Sequence, residues 1–243
     1  MMNNLLKQLK WYEWGWLVLF FFIAVLTSWS ANDSLLMLTV LMSGVLFLVF
    51  AAKGSIYTYY FGFYNAVGYA YIAYMNGLFG EFALNLFFYV PVNIIGFFLW
   101  KKNAINTIVL MRKMSCLHLL LAFVLCSLIT LILGHILSQI QGQNSPYLDS
   151  VTNVLAVLAA MMMLYRLREQ WLVYIILNIF LIIMWTIRYQ NGSTEALSMV
   201  VLSIAYMVNT LFGFYNWYFG KQEQEILHQI ESNQSVNMAD SLD

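Results

Sequence analysis

Charge is scarce in this chain: Asp, Glu, Lys and Arg make up 9% of its 243 residues, against roughly a quarter in a soluble globular domain. With 62% hydrophobic residues and two prolines, a water-soluble core is excluded. Lys plus Arg and Asp plus Glu balance at 11 each. The basic surface that neutralises a phosphate backbone is therefore missing, and no nucleic-acid partner is expected. Cysteine is equally sparse. Cys116 and Cys126 share one apolar stretch, so on one helix they project from different turns and cannot pair; they read as small packing residues. The first apolar stretch is not read as a cleaved leader, because Trp29 stands where small residues would prepare the cleavage.

What the chain has instead is apolar length. A helix crossing the hydrocarbon needs about 20 mostly apolar residues, and backbone in that zone must satisfy its own hydrogen bonds. Eight segments qualify, at 14–30, 35–52, 57–76, 82–100, 116–139, 146–165, 170–190 and 196–218, several with Trp or Tyr at their ends. The expected fold is all-α integral membrane, with eight transmembrane helices. Assigning loops alternately to two sides puts Lys7, Lys10, Lys53, Lys101, Lys102, Arg112, Lys113, Arg166, Arg168 and Lys221 beside the N-terminus, and only Arg188 opposite. The positive-inside rule then makes both termini cytoplasmic. The polar tail 221–243 has a short helical period around Ile226, Leu227 and Ile230, loses it, and is expected to fray.

The chain also echoes itself. Asn93, Gly96, Phe97 and Trp100 are answered by Asn209, Gly213, Phe214 and Trp217, Asn76-Gly77 by Asn191-Gly192, and Asn65 by Asn178, at nearly one spacing. Each copy holds three helices, 35–100 and 146–218, with 116–139 between them. Three is odd, so consecutive trios would point oppositely, but one intervening helix restores the same direction. The expected core, 35–220, is thus a 3+1+3 parallel repeat, SWEET-like, with a further helix in 1–34 outside it. In repeat-built carriers of this kind the substrate sits near mid-membrane between the halves.

No ionisable residue falls deep in any expected span; Asp149 lies near the outer end of the sixth, and His118 and His135 near the ends of the fifth. Proton or sodium coupling then has no carrier, and passive diffusion is favoured. An intramembrane hydrolase is excluded by the same absence, and no metal or cofactor is expected. The spans carry asparagine and aromatics in register. Asn85, Tyr89, Asn93, Gly96 and Trp100 share one helical face, as do Trp171, Tyr174, Asn178 and Trp185, and Tyr206, Asn209, Gly213 and Asn216. Such stripes suit a flat heteroaromatic ligand with hydroxyls, whose ring, even a cationic one, the aromatic faces attract. For any one asparagine, helix packing explains the position as well as ligand contact does. Trp100 and Trp217, at the cytoplasmic boundary, read as interfacial anchors, Trp185 as packing and Met161 to Met163 as gap-filling.

The run Tyr71 to Lys102, with Asn76-Gly77, Ala83-Leu84-Asn85, Pro91-Val92-Asn93, Gly96 and Trp100-Lys101-Lys102, resembles the Pnu family of bacterial vitamin transporters. Tyr147-Leu148-Asp149-Ser150, Ala159, Arg166 and Glu169-Gln170-Trp171 carry the same resemblance. It implies a seven-helix core, sometimes with an added N-terminal helix, in a bacterial inner membrane. It also implies facilitated diffusion of a vitamin that a cytoplasmic kinase then traps. The family pattern for nicotinamide riboside carriers is Trp, Trp three later and Asn or Asp four after that; Trp171, Tyr174 and Asn178 stand there. The middle residue departs from the pattern, and Met161 stands where a polar residue is expected, so thiamine and riboflavin are the alternative cargoes. The expected substrate-binding set is Trp171, Tyr174, Asn178, Tyr89, Asn93, Asn209 and Asn65, with Trp171 and Tyr174 stacking the ring and the asparagines holding hydroxyls or a carboxamide. The competing class is a vitamin-capturing subunit that binds without flux of its own. Whether the chain forms a homo-oligomer is left open.

Overall fold

An apolar run out of reach of water becomes helical because only a helix closes every backbone N–H and C=O within its own segment. The structure, a computed structural model, describes residues 11–30, 35–75, 79–105, 107–139, 145–192, 196–220 and 230. Within them the helices are α1 (Trp11–Ser30), α2 (Leu35–Ala52), α3 (Thr58–Met75), α4 (Phe79–Leu84), α5 (Val90–Lys102), α6 (Cys116–Ser138), α7 (Pro146–Leu164), α8 (Gln170–Gln190) and α9 (Ala196–Phe219). A π-helical turn, Asn85–Tyr89, joins α4 to α5. These three pieces form one rod, so the described residues hold eight rods where the sequence places them. Five segments, Leu35–Ala52, Phe82–Lys102, Cys116–Ser138, Pro146–Leu164 and Gln170–Gln190, are long and apolar enough to cross a membrane. The tail 221–243, Ile230 apart, and the Asn76-Gly77 half of the repeat lie outside the described residues.

The π turn has a local cause. Pro91 has no N–H to give the Phe87 carbonyl, and its ring crowds that carbonyl. The helix widens just before it, and Val90 N–H bonds Asn85 O instead of a residue one closer.

Neighbouring rods pack in chain order. α1 packs on α2, α2 on α3, and α3 on the rod of α4, the π turn and α5; α6 packs on α7, α7 on α8, and α8 on α9. Two further contacts join the groups: α9 reaches back to α2, and α5 reaches forward to α7. Each trio's last helix therefore touches the other trio's first. The largest aromatic core cluster sits at that seam and contains Tyr59, Trp100, Trp171 and Trp217.

Trp100 and Trp217 correct the expectation of interfacial anchors. They are 0% and 4% exposed, and each indole donates across the seam: Trp100 Nε1 to Met163 O at 3.1 Å, and Trp217 Nε1 to Ala51 O at 3.2 Å. The acceptors lie in the last turns of α7 and α2, where the helical ladder has run out and carbonyls retain capacity. A buried indole N–H needs such a partner, and none is available on the lipid side.

The turns leaving α2 and α7 are built alike. Ser55 N–H bonds Phe50 O and Leu167 N–H bonds Met162 O, at 3.0 and 2.9 Å, with Gly54 and Arg166 both left-handed at φ 69° and 62°. The stretch between α5 and α6 stitches the two together. It contains a two-residue antiparallel ribbon absent from the all-α expectation, β1 (Ala104–Ile105) with β2 (Ile108–Val109). Val109 N–H bonds Gly54 O, Ile56 N–H bonds Thr107 O, Arg112 N–H bonds Arg166 O, and Arg168 N–H bonds Arg112 O. These turns expose backbone groups that no helix satisfies, and the linker satisfies them. Arg166, beside Arg112, has its pKa lowered from the ordinary guanidinium value, by burial first and by the Arg112 charge second.

Substituting Gly54 with Ala places a side chain at a positive φ, which costs about 1–2 kcal/mol. The expected outcome is a lower melting temperature of the purified protein in detergent, with substrate affinity unchanged. An unchanged melting temperature refutes the conformational role given to Gly54.

Candidate functional site

A cavity of about 300 Å³ opens between the trios, at the lower end of the range for small-molecule sites. Every rod of both trios lines it, and neither α1 nor α6 does. Its polar surface is neutral: four asparagines (Asn65, Asn85, Asn93, Asn178), Thr210, and the tyrosines 59, 89, 174 and 206, with no Asp, Glu, Lys, Arg or His among the lining residues.

Each expected asparagine on this wall is tethered. Asn65 Nδ2 donates to Val40 O at 2.8 Å, and Asn93 Nδ2 donates to Tyr89 O at 2.8 Å. Asn178 Nδ2 donates to Thr210 Oγ1 at 3.0 Å, across from α8 to α9. A carbonyl acceptor demands the amide nitrogen, so the orientation of the first two is set by chemistry. One N–H of each amide is thereby used within the protein, and the other N–H and the amide oxygen remain for a ligand. Space for these amides comes from glycine. A Cβ at Gly62 would fall on Asn93 Oδ1 and lie 2.7 Å from the Phe47 ring, and one at Gly44 would lie 3.1 Å from Asn65 Nδ2.

Of the expected set, the cavity brings together Tyr89, Asn93, Tyr174, Asn178 and Asn65. It does not include Trp171 or Asn209. Trp171 is 2% exposed and packs on Gly213, where a Cβ would collide with its ring. The Trp171 and Tyr174 centroids are 5.9 Å apart at 48°, whereas sandwiching a planar ring needs two near-parallel faces about 7 Å apart. In this structure the two rings touch each other and leave no slot. Asn209 is buried and is not among the lining residues, and its amide has no hydrogen-bond partner among the described residues. Its neighbour Thr210 takes the lining position. Met161 is also absent from the wall, which Met163 joins instead.

Thr210, Tyr59 and Met163 are among the lining residues that sequence reasoning missed. The signal for Thr210 lay in the repeat: counted back from Trp217 and Gly213, as Asn93 is from Trp100 and Gly96, the matching residue is Thr210 and not Asn209. Nothing in the sequence flagged the hydroxyl of Tyr59.

Apolar rods enclosing a neutral, ligand-sized cavity lined by acceptors and rings define a multi-pass membrane protein with a small-molecule site. The comparisons with known proteins give the family. The model of the nicotinamide mononucleotide transporter family matches residues 34–219, and the chain belongs to that family, as the sequence resemblance implied. It is 33% identical over 212 residues to the nicotinamide riboside transporter PnuC of Neisseria mucosa, covering 85% of this chain and 80% of that one. It is likewise 33% identical over 210 residues to the nicotinamide riboside transporter PnuC of Haemophilus influenzae, covering 85% and 89%. A crystal structure of the vitamin B3 transporter PnuC superposes with a TM-score of 0.70 at 31% identity, covering 86% of this chain and 91% of that one.

Substituting Gly62 with Ala forces the Asn93 amide and the Phe47 ring to move, and overpacking of this kind costs about 1–3 kcal/mol. Both a lower melting temperature and weaker ligand binding are expected from calorimetry on the purified variant. Binding at wild-type strength would remove Asn93 from the site.

Proposed function

We propose that the chain carries nicotinamide riboside across the bilayer by facilitated diffusion, in the inner membrane of a bacterium, with both termini cytoplasmic. One observation carries this reading: a neutral cavity of amide acceptors and tyrosine rings lies between the two trios and draws on every one of their rods. Ribose hydroxyls and a carboxamide NH₂ are donors that match acceptor oxygens. A cationic ring is held by aromatic faces without a buried carboxylate. A 5′-phosphate finds no lining cation, which favours the riboside over the mononucleotide of the family's description. The named relatives, riboside transporters at 33% identity, support the same cargo. Uniport is supported by a lining without Asp, Glu, Lys, Arg or His to couple an ion, and trapping by a downstream cytoplasmic kinase would then make uptake net inward.

The architecture proposed for this job is a 3+1+3 parallel repeat in residues 35–220, SWEET-like, with α1 outside it. Its support is the reciprocal seam, in which the end of α5 meets the end of α7 and the end of α9 meets the end of α2. The inward orientation is supported by Lys53, Lys101, Lys102, Arg112, Lys113, Arg166 and Arg168 at that same end. In the bound state the ring stacks on Tyr174 and Tyr89, while Asn178, Asn93 and Asn65 accept from hydroxyls or the carboxamide. Trp171 supports Tyr174 from behind.

Two measurements test this. Purified protein in liposomes equilibrates labelled nicotinamide riboside without ATP, a partner or an ion gradient; binding without flux instead identifies a capture subunit. In a panel of nicotinamide riboside, its 5′-phosphate, thiamine and riboflavin, the riboside binds best, and preference for thiamine assigns the cargo to the departures at Tyr174 and Met161. Replacing Asn178 by Ala weakens riboside binding by about 0.5–3 kcal/mol. Replacing Thr210 by Val, which only frees the Asn178 amide, costs about 0.5–1.5 kcal/mol. Unchanged affinity in Asn178→Ala ends its assigned role.

A further inference from the structure

Tyr59, Trp100, Trp217 and Trp171 form a continuous aromatic layer across the seam. Tyr59 meets Trp100 edge-on at 4.9 Å, Trp100 meets Trp217 at 6.1 Å, and Trp217 meets Trp171 at 6.0 Å. The order is the same read from either trio: an α3 or α8 ring, then a ring from the last helix. Each outer ring lies against a glycine, Tyr59 on Gly96 and Trp171 on Gly213, where any Cβ would collide with it. The layer is also the cavity's floor toward the basic end, because Tyr59 and Met163 line the cavity while Tyr59 packs on Trp100 and the Met163 carbonyl accepts its indole N–H.

From this arrangement we infer that Trp100 and Trp217 are a two-point latch that holds the basic end shut during transport. This rests on the carrier reading above. A cargo leaving the cavity toward the basic end must part this layer, and the indole–carbonyl pairs at 3.1 and 3.2 Å cross it, with a longer bond from Asn216 Nδ2 to Ala52 O at 3.5 Å beside the second. Each indole bond ties a side chain of one trio to the backbone of the other, so opening the seam breaks both, and closing it remakes both. The bonds are also separable from the fold. Ala51 O still accepts from Gly54 N–H, and Met163 O still accepts from Arg166 N–H, so removing an indole N–H orphans no carbonyl.

Against the latch stand two unpaired polar atoms in the same layer. Tyr59 OH and Trp171 Nε1 are buried with no hydrogen-bond partner among the described residues, and such groups raise the energy of the closed state. Opening lets them find water. The bonds favour closure and the orphans oppose it, which brings the two states nearer in free energy, as a carrier requires if both are to be populated.

The test removes the N–H and keeps an aromatic ring, a smaller one, with Trp100→Phe, Trp217→Phe and the double variant. The exposed Cys116 and buried Cys126 are replaced by Ser, and a reporter thiol is placed in the cavity wall by Ala156→Cys. A membrane-impermeant maleimide is then applied to liposome-reconstituted protein from the basic end and from the opposite end. Loss of one net hydrogen bond should speed labelling from the basic end by about fivefold, and the double variant more than either single. Labelling from the opposite end should not rise. Wild-type rates in all three variants, or equal acceleration from both ends, overturn the latch while leaving the carrier reading intact. If riboside fails to shield the thiol even in the Trp100, Trp217 background, the carrier reading falls and the latch with it. Should a Phe variant fold poorly, hydrogen exchange of the two indole protons in the otherwise native chain decides. A latch exchanges both at one common rate that riboside alters, and independent, riboside-insensitive exchange overturns it.

Discussion

Inside a bilayer there is no water to complete a hydrogen bond, and the rest of this structure follows from that constraint. It makes the rods helical, and it makes Asn65, Asn93 and Asn178 on the cavity wall each give an N–H to a carbonyl or a hydroxyl of the protein. It sends two buried indoles across the seam to helix-end carbonyls. The same constraint explains Arg188, the one basic residue expected on the far side. Its guanidinium bonds Asp149 Oδ1 at 2.7 Å and lies over the Trp185 ring at 4.8 Å, so its charge is compensated where α7 begins and α8 ends.

Neutrality then becomes a chemical property of the site. Where walls carry only amides, hydroxyls and ring faces, recognition comes from matching donors and planar rings, and no strong charge holds the cargo back. A carrier benefits, because a site that binds too tightly does not release. Glycines set how closely the helices approach: Gly62 admits the Asn93 amide, Gly96 admits the Tyr59 ring on the cavity wall, and Gly213 admits the Trp171 ring behind it. In each case the small residue and the large one sit on different helices, so neither explains itself alone.

The linker between the trios adds a mechanical point. By pairing with Gly54 and Ile56 in one turn and with Arg166 and Arg168 in the other, residues 104–112 tie both turns at the basic end to one short piece of backbone. The turns that leave α2 and α7 are thereby joined through a shared strap.

Read alone, the sequence determined the rods, their ends to within a few residues, their number and the family, because apolar length and motif order are local in the chain. It also brought five of seven expected residues to the cavity wall, since helical spacing places Tyr89 with Asn93 and Tyr174 with Asn178 on single faces. Tertiary structure alone decided which side of a face meets empty space. Asn209 and Thr210 are adjacent and both polar, yet only the second reaches the wall. Trp171 carries the family's motif yet sits behind Tyr174, and Trp100 and Trp217 fall at the membrane boundary in sequence yet close the seam. A helix presents a full circle of side chains, and its rotation about its own axis is set by the partners it packs against, which no window of the chain contains.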